Sequence, residues 1–301
     1  MQVMHNSSQR KFILTPLVSI LRDTVTACNG IGHGIETQSL GEYVLQTTFL
    51  KMTGAQEQKL KCICWEMATN DFDYRYQYLK KNYGECSSYA DKSSIYRDLV
   101  EMIVKLEPGF SVSRLFDDVD ISTKENELME KKIKDTQKKQ EANKGRKLNE
   151  VEAQKLTDGM RAHWEKNGIC EKERAIFSRI VLFESMQDLL EGIVGGTMVA
   201  QWEQHNYLNY VTNWKGLANG RFALGDVLLD KDYQNLYTNV VYKHRNRCAH
   251  NLASFQSNLP TLKTLTGEDF VYDNYYYRFS LLLLLDEIFM RLYKAYVEAI
   301  G

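Results

Sequence analysis

The chain has 301 residues, of which 44% are hydrophobic and 11% aromatic, and its formal net charge at pH 7 is −1. This apolar content supports a sizeable core and excludes an intrinsically disordered chain. The near-zero charge excludes a protein that coats nucleic acid or anionic lipid through its overall charge, so any RNA contact must come from a local cluster. The three prolines favour a mainly helical protein, because proline disrupts helix interiors.

The first 120 residues show helical periodicity and almost no alternation typical of strands. The pattern predicts helices over residues 12–28, 39–52, 55–69 and 88–106. Gly54 and the pair Pro108-Gly109 supply the clearest breaks. We therefore expect residues 1–120 to form a helical domain, to which no function can be attached.

The character of the sequence changes at about residue 121. Between residues 122 and 150, lysines alternate with acidic residues and few large apolar side chains intervene. An RNA-facing basic helix is one interpretation, but the interleaved charges favour a solvated helix laced with ion pairs. We expect residues 121–170 to be a charged helical connector.

Residues 171–301 again show strong apolar periodicity, which predicts helices over 171–193, 197–212, 232–250 and 272–300. Four helices over this length fit a helical bundle. The predicted fold class is therefore all-α, with a helical N-terminal domain and a C-terminal helical bundle. The most apolar window, residues 280–285, is too short to span a bilayer, and we found no signal-peptide pattern. We expect a cytoplasmic protein without a membrane partner.

The densest unopposed positive charge lies at the end of the third helix of this bundle. Residues 243–250 contain no acid and carry five cationic or titratable side chains: Lys243, His244, Arg245, Arg247 and His250. Helical spacing places Asn246 and His250 on one face. Helix C-termini attract such residues through the helix dipole alone, so a purely structural role is also open.

The run Arg245-Asn246-x-x-x-His250 resembles the motif of helical ribonucleases of the HEPN superfamily. Its place near the end of a bundle's third helix agrees with that resemblance, which covers about residues 171–301. The resemblance implies a metal-independent endoribonuclease that cleaves RNA by attack of the ribose 2′-hydroxyl. It also implies a role in toxin–antitoxin systems, phage defence or stress response.

Such cleavage requires proton transfer and a positive charge on the phosphorane. Histidine titrates near neutral pH, and arginine clamps phosphate oxygens. We assign His250 to proton transfer, Arg245 to phosphate stabilisation and Asn246 to positioning. The expected RNA-binding residues are Arg247, Lys243 and His244.

No cofactor or metal is expected. One catalytic histidine per chain is few for this reaction, and the resemblance implies a homodimer in which two motifs form one composite site. An antitoxin or regulatory protein is a further expected partner. The alternative is a catalytically inactive HEPN-like module that binds RNA or a partner protein. A third interpretation gives the main activity to residues 1–120, with the C-terminal bundle serving only to dimerise the chain.

Overall fold

The computed structural model describes residues 2–28, 38–80, 85–166, 227–250 and 275–301. Within these ranges every regular element is helical, which confirms the all-α fold. The predicted helices 171–193 and 197–212 lie outside the described residues. None of the described helices combines the length and the apolar character that crossing a bilayer requires.

In the described part of the chain, seven α-helices precede residue 167: α1 (Gln2–Ile13), α2 (Val18–Cys28), α3 (Gln38–Asn70), α4 (Phe72–Lys80), α5 (Tyr89–Leu106), α6 (Ser122–Lys144) and α7 (Glu150–Lys166). A short 3-10 helix, Val112–Arg114, lies between α5 and α6. The later described elements are α8 (Lys231–Leu236), a π-helix (Tyr237–Tyr242), α9 (Lys243–His250) and α10 (Tyr275–Ile300). Two predicted helices, 39–52 and 55–69, are one continuous helix of 33 residues, α3. Gly54 does not end it, since glycine costs a helix only about 1 kcal/mol.

The chain divides into two compact units, one comprising Met1–Leu115 with Val181–Gly301 and the other Phe116–Ile180. In the first unit α10 packs against both α3 and α5. N-terminal and C-terminal helices therefore share one core, and the predicted division into 1–120, 121–170 and 171–301 is not confirmed.

The centre of the first unit is α10. Five consecutive leucines, 281–285, are each at most 8% exposed, so this stretch of the helix is covered on all sides. A buried ion pair crosses the same core, with Lys59 Nζ 2.6 Å from Asp286 Oδ1. Asp286 Oδ2 also accepts a hydrogen bond of 2.7 Å from the backbone N–H of Leu17. One carboxylate thus connects the start of α2 with α3 and α10.

The second unit, in its described part, is the helical hairpin α6–α7. Gly145 ends α6 in the left-handed conformation, with φ of 63°. A capping box then starts α7, because Asn149 Oδ1 accepts from the Glu152 N–H and Glu152 Oε2 accepts from the Asn149 N–H. Trp164 is buried and donates from Nε1 to Glu125 Oε1 at 3.1 Å. The expectation of a charged helical segment is confirmed for these residues.

Candidate active site at residues 243–250

The motif residues form α9, the last part of a continuous helical stretch from Lys231 to His250. This agrees with the helix predicted over 232–250. The helix is irregular, however, because residues 237–242 adopt the wider π form immediately before the motif. Long π segments are rare, and short ones occur frequently at functional sites.

A tyrosine and an arginine hold the π-helix in place. Tyr237 is 2% exposed and donates from its hydroxyl to Ser87 O at 3.2 Å. Arg278 of α10 is 4% exposed and donates from Nε to Val240 O at 3.2 Å. The guanidinium of Arg278 also lies over the Tyr275 ring, 4.9 Å from its centroid. The widened turn thus has a side-chain donor for one of its buried carbonyls.

One face of α9 is buried through His244 and Cys248, which are one turn apart. The His244 ring lies 5.1 Å from the Phe49 ring and 5.5 Å from the Tyr275 ring. Its Nε2 is 3.3 Å from the Tyr275 hydroxyl. Burial, reinforced by the charges of Arg278 and Arg247, lowers the pKa of His244 far below its usual value. His244 is therefore neutral at physiological pH and anchors α9 to α3 and α10.

Arg245 points toward α3, where its Nη2 lies 3.1 Å from Glu57 Oε2. The side chains of Arg245 and Glu57 are 24% and 12% exposed. Arg245 Nη1 also donates to Asn246 Oδ1 at 3.3 Å. The structure thus joins the first two residues of the motif directly. It also opposes the arginine with a carboxylate 188 residues earlier in the chain, which the sequence pattern of an unopposed positive patch did not predict.

A buried lysine lies in the same charged cluster. Lys92 of α5 is 1% exposed and donates from Nζ to Cys86 O at 2.6 Å. Burial lowers the pKa of Lys92 to about 8, while the negative charge of Glu57 acts in the opposite direction and that of Arg245 lowers it further. Glu57 is therefore the carboxylate that offsets two cations, on α5 and on α9.

The other predicted site residues are placed as follows. Arg247 is half-buried and its Nη2 lies 3.4 Å from His244 Nδ1. Lys243 is exposed. His250 ends α9, and its side chain lies outside the described part of the structure. Of the six predicted residues, the structure therefore connects Arg245 with Asn246 and His244 with Arg247, and buries His244.

Sequence reasoning did not find Glu57, Lys92 or Arg278. Glu57 and Lys92 lie on helices distant in sequence and outside the region of the HEPN resemblance. A carboxylate at position 57 differs in no visible way from the other acids of the chain. Arg278 follows three consecutive tyrosines, of which Tyr277 is 1% exposed. Only the packing of α3, α5 and α10 reveals these partners.

Comparisons of the chain with protein-family models, with curated proteins and with solved structures give no match. Function must therefore be inferred from the site. Chemically, the cluster offers an oriented, partly exposed guanidinium with an amide beside it and a histidine one turn further along the same helix. A guanidinium can bind two oxygens of a phosphate bidentately.

Proposed function

We propose that this chain is a metal-independent endoribonuclease of the HEPN type. The observation that supports the proposal most is the setting of the Arg245 side chain. Glu57 and Asn246 hold this side chain in one orientation, yet it is still 24% exposed. A guanidinium fixed in this way does not need to be ordered when a phosphate arrives, which favours stabilisation of the charge that develops in the transition state. Lys243 and Arg247 supply further positive charge on α9 for the RNA backbone.

The reaction requires a base for the 2′-hydroxyl proton and an acid for the 5′-oxygen. His250 performs one of these proton transfers. His244 is buried and neutral, so it holds α9 in position and leaves the second transfer to another group. A second copy of His250, from a homodimer with two motifs in one composite cleft, supplies that group. The products are a 2′,3′-cyclic phosphate and a 5′-hydroxyl.

The biological setting that we propose is a toxin–antitoxin, phage-defence or stress-response system in the cytoplasm. A nuclease that cleaves cellular RNA endangers its own cell, so a regulatory protein or antitoxin is the expected partner. The ion pair of Glu57 with Arg245 agrees with such control, because RNA phosphate must compete with a carboxylate for the same guanidinium.

Incubation of the purified full-length protein with total RNA in EDTA tests the proposal. The wild type should cleave and yield 2′,3′-cyclic phosphate ends, whereas His250→Ala and Arg245→Ala should not. His163→Ala and Arg146→Ala are matched controls, since both residues are exposed and lie on or next to α7, outside the motif. The proposal would be contradicted if the RNA stayed equally intact with the wild type, with either motif variant and without protein.

A second candidate function is a catalytically inactive module that binds RNA or a partner protein. The neutralisation of Arg245 by Glu57 and the burial of His244 favour it, because both contacts also serve to tether α9 to the core. RNA binding without cleavage, retained in His250→Ala, would support this candidate over the nuclease.

A further inference from the structure

An open depression lies between α1 and α3. Its volume is about 460 Å³, and two aromatic side chains, Phe12 and Trp65, form its apolar walls. The rest of its lining consists of Ser8, Gln9, Gln58, Lys61 and Cys62. The volume falls in the range of about 300 to 1,000 Å³ that small-molecule sites usually occupy.

Trp65 is unusual in this setting. Its side chain is 70% exposed, although tryptophan is the largest apolar residue and is normally highly buried. Phe12, across the depression, is 37% exposed. Exposed aromatic faces beside amide and amine groups are the chemistry that binds nucleobases, through stacking on the rings and hydrogen bonds at the base edges.

The position of Trp65 relative to Arg245 supports the same ligand. Glu57, which holds Arg245, lies on the same helix as Lys61 and Trp65 at intervals of four residues, so the three follow one side of α3. Along the helix axis, Glu57 and Trp65 are about 12 Å apart. A stacked strand with a base spacing of about 3.4 Å covers that distance in roughly four nucleotides. A strand whose phosphate lies at Arg245 therefore reaches the depression.

We infer that the depression walled by Phe12 and Trp65 is a nucleobase subsite, which binds an unpaired base of single-stranded RNA a few nucleotides from the phosphate at Arg245. This inference rests on the proposed function and gives it a substrate class, single-stranded rather than duplex RNA. Lys61, which pairs with Glu85, lies between the two places on α3.

The probe is a short 2′-O-methyl oligoadenylate, which lacks the attacking hydroxyl and is therefore bound without cleavage. Binding to the full-length protein is measured by fluorescence anisotropy. Trp65→Ala should weaken binding about tenfold, within the range that loss of one stacked base produces. Trp65→Phe keeps an aromatic ring and should bind nearly as the wild type. Tyr43→Ala is the matched control, an aromatic residue 65% exposed on the same helix but outside the depression.

An oligonucleotide with abasic sites is the complementary probe, because it has no base to stack on Trp65. It should bind the wild type and Trp65→Ala equally. Equal binding of oligoadenylate by these two proteins overturns the inference, and so does the absence of any binding. A change of the oligomeric state in Trp65→Ala also overturns it, because the depression would then contact a second copy of the chain.

The outcomes separate this inference from the proposed nuclease. Suppose that ordinary RNA is cleaved in EDTA in a way that depends on His250, while Trp65→Ala binds the oligoadenylate as tightly as the wild type. The subsite is then contradicted and the nuclease is supported. If the affinity for the oligoadenylate depends on Trp65 but no RNA is cleaved, the subsite is supported and the proposed nuclease is contradicted.

Discussion

Charged side chains serve different purposes in the two compact units. In the first unit, Lys59 with Asp286 and Glu57 with Arg245 pair across different helices and are largely shielded from water. In the α6–α7 hairpin, Glu152 pairs with Arg146 and Lys144, which are 55% and 43% exposed. The sequence shows similar charged residues in both regions, and only the packing around them reveals which are structural supports and which are solvated.

The difference has an energetic reason. An exposed ion pair is screened by water and contributes little, whereas a buried charge that loses its partner bears its full desolvation cost. Substitutions in the buried pairs of the first unit should therefore be expensive and those in the exposed pairs of the hairpin mild. Each of the following predictions tests one side of this contrast.

The largest effect is expected for Lys59→Met, which leaves Asp286 as a buried charge without its cation. The loss in the free energy of unfolding should be about 3 to 5 kcal/mol, measured by urea denaturation. In the double variant Lys59→Met/Asp286→Asn the loss should be smaller, since the unpaired charge is gone and the amide oxygen still accepts from the Leu17 N–H. A single-variant loss below about 1 kcal/mol would show that the pair behaves like an exposed one.

The next effect is the acid dependence that His244 confers. Its pKa is lowered in the folded state, so below its ordinary value of 6.5 the unfolded chain binds a proton that the folded protein does not. Stability is therefore lost as the pH falls. Between about pH 7.5 and pH 5 the loss from this residue should be about 2 kcal/mol. The measure is the difference in this pH dependence between wild type and His244→Asn, and parallel curves would contradict the burial of a neutral imidazole.

The smallest effect is expected in the hairpin. Arg146→Gln removes an exposed partner of Glu152, while Lys144 remains paired with the same carboxylate. The thermal midpoint of unfolding should not change measurably. A clear decrease would mean that surface ion pairs stabilise this hairpin more than their exposure allows.

The sequence predicted the helical class and several helix boundaries for identifiable reasons. The helix predicted over 88–106 is α5 (Tyr89–Leu106), whose start is fixed by Ser88, because the Ser88 hydroxyl accepts from the Asp91 N–H. The break at Leu14–Leu17, which separates α1 from α2 near Pro16, was missed within the helix predicted over 12–28. Continuous apolar burial along α3 carries the helix through Gly54, and a local break signal could not reveal this.

The candidate site was predictable only in part. Arg245, Asn246 and His250 follow from a short local motif, and the structure brings the first two into contact. The π-helix has no residue signature, and the donor to its Val240 carbonyl, Arg278, comes from α10. Likewise, Glu57 becomes part of the site only through tertiary packing. Local patterns therefore located the helix of the site, and long-range packing defined its electrostatics.

The central claim is that Arg245 acts on phosphate and is not only a tether of α9 to α3. Arg245→Lys tests it most directly, because lysine keeps the charge opposite Glu57 but loses the forked geometry for bidentate phosphate binding. Single-turnover RNA cleavage in EDTA and the free energy of unfolding are measured on the same preparations. The account predicts a decrease in cleavage of at least about tenfold, with stability changed by less than about 1 kcal/mol. The claim would be contradicted if Arg245→Lys cleaved RNA as fast as the wild type, or if its cleavage fell only in proportion to the fraction of unfolded protein.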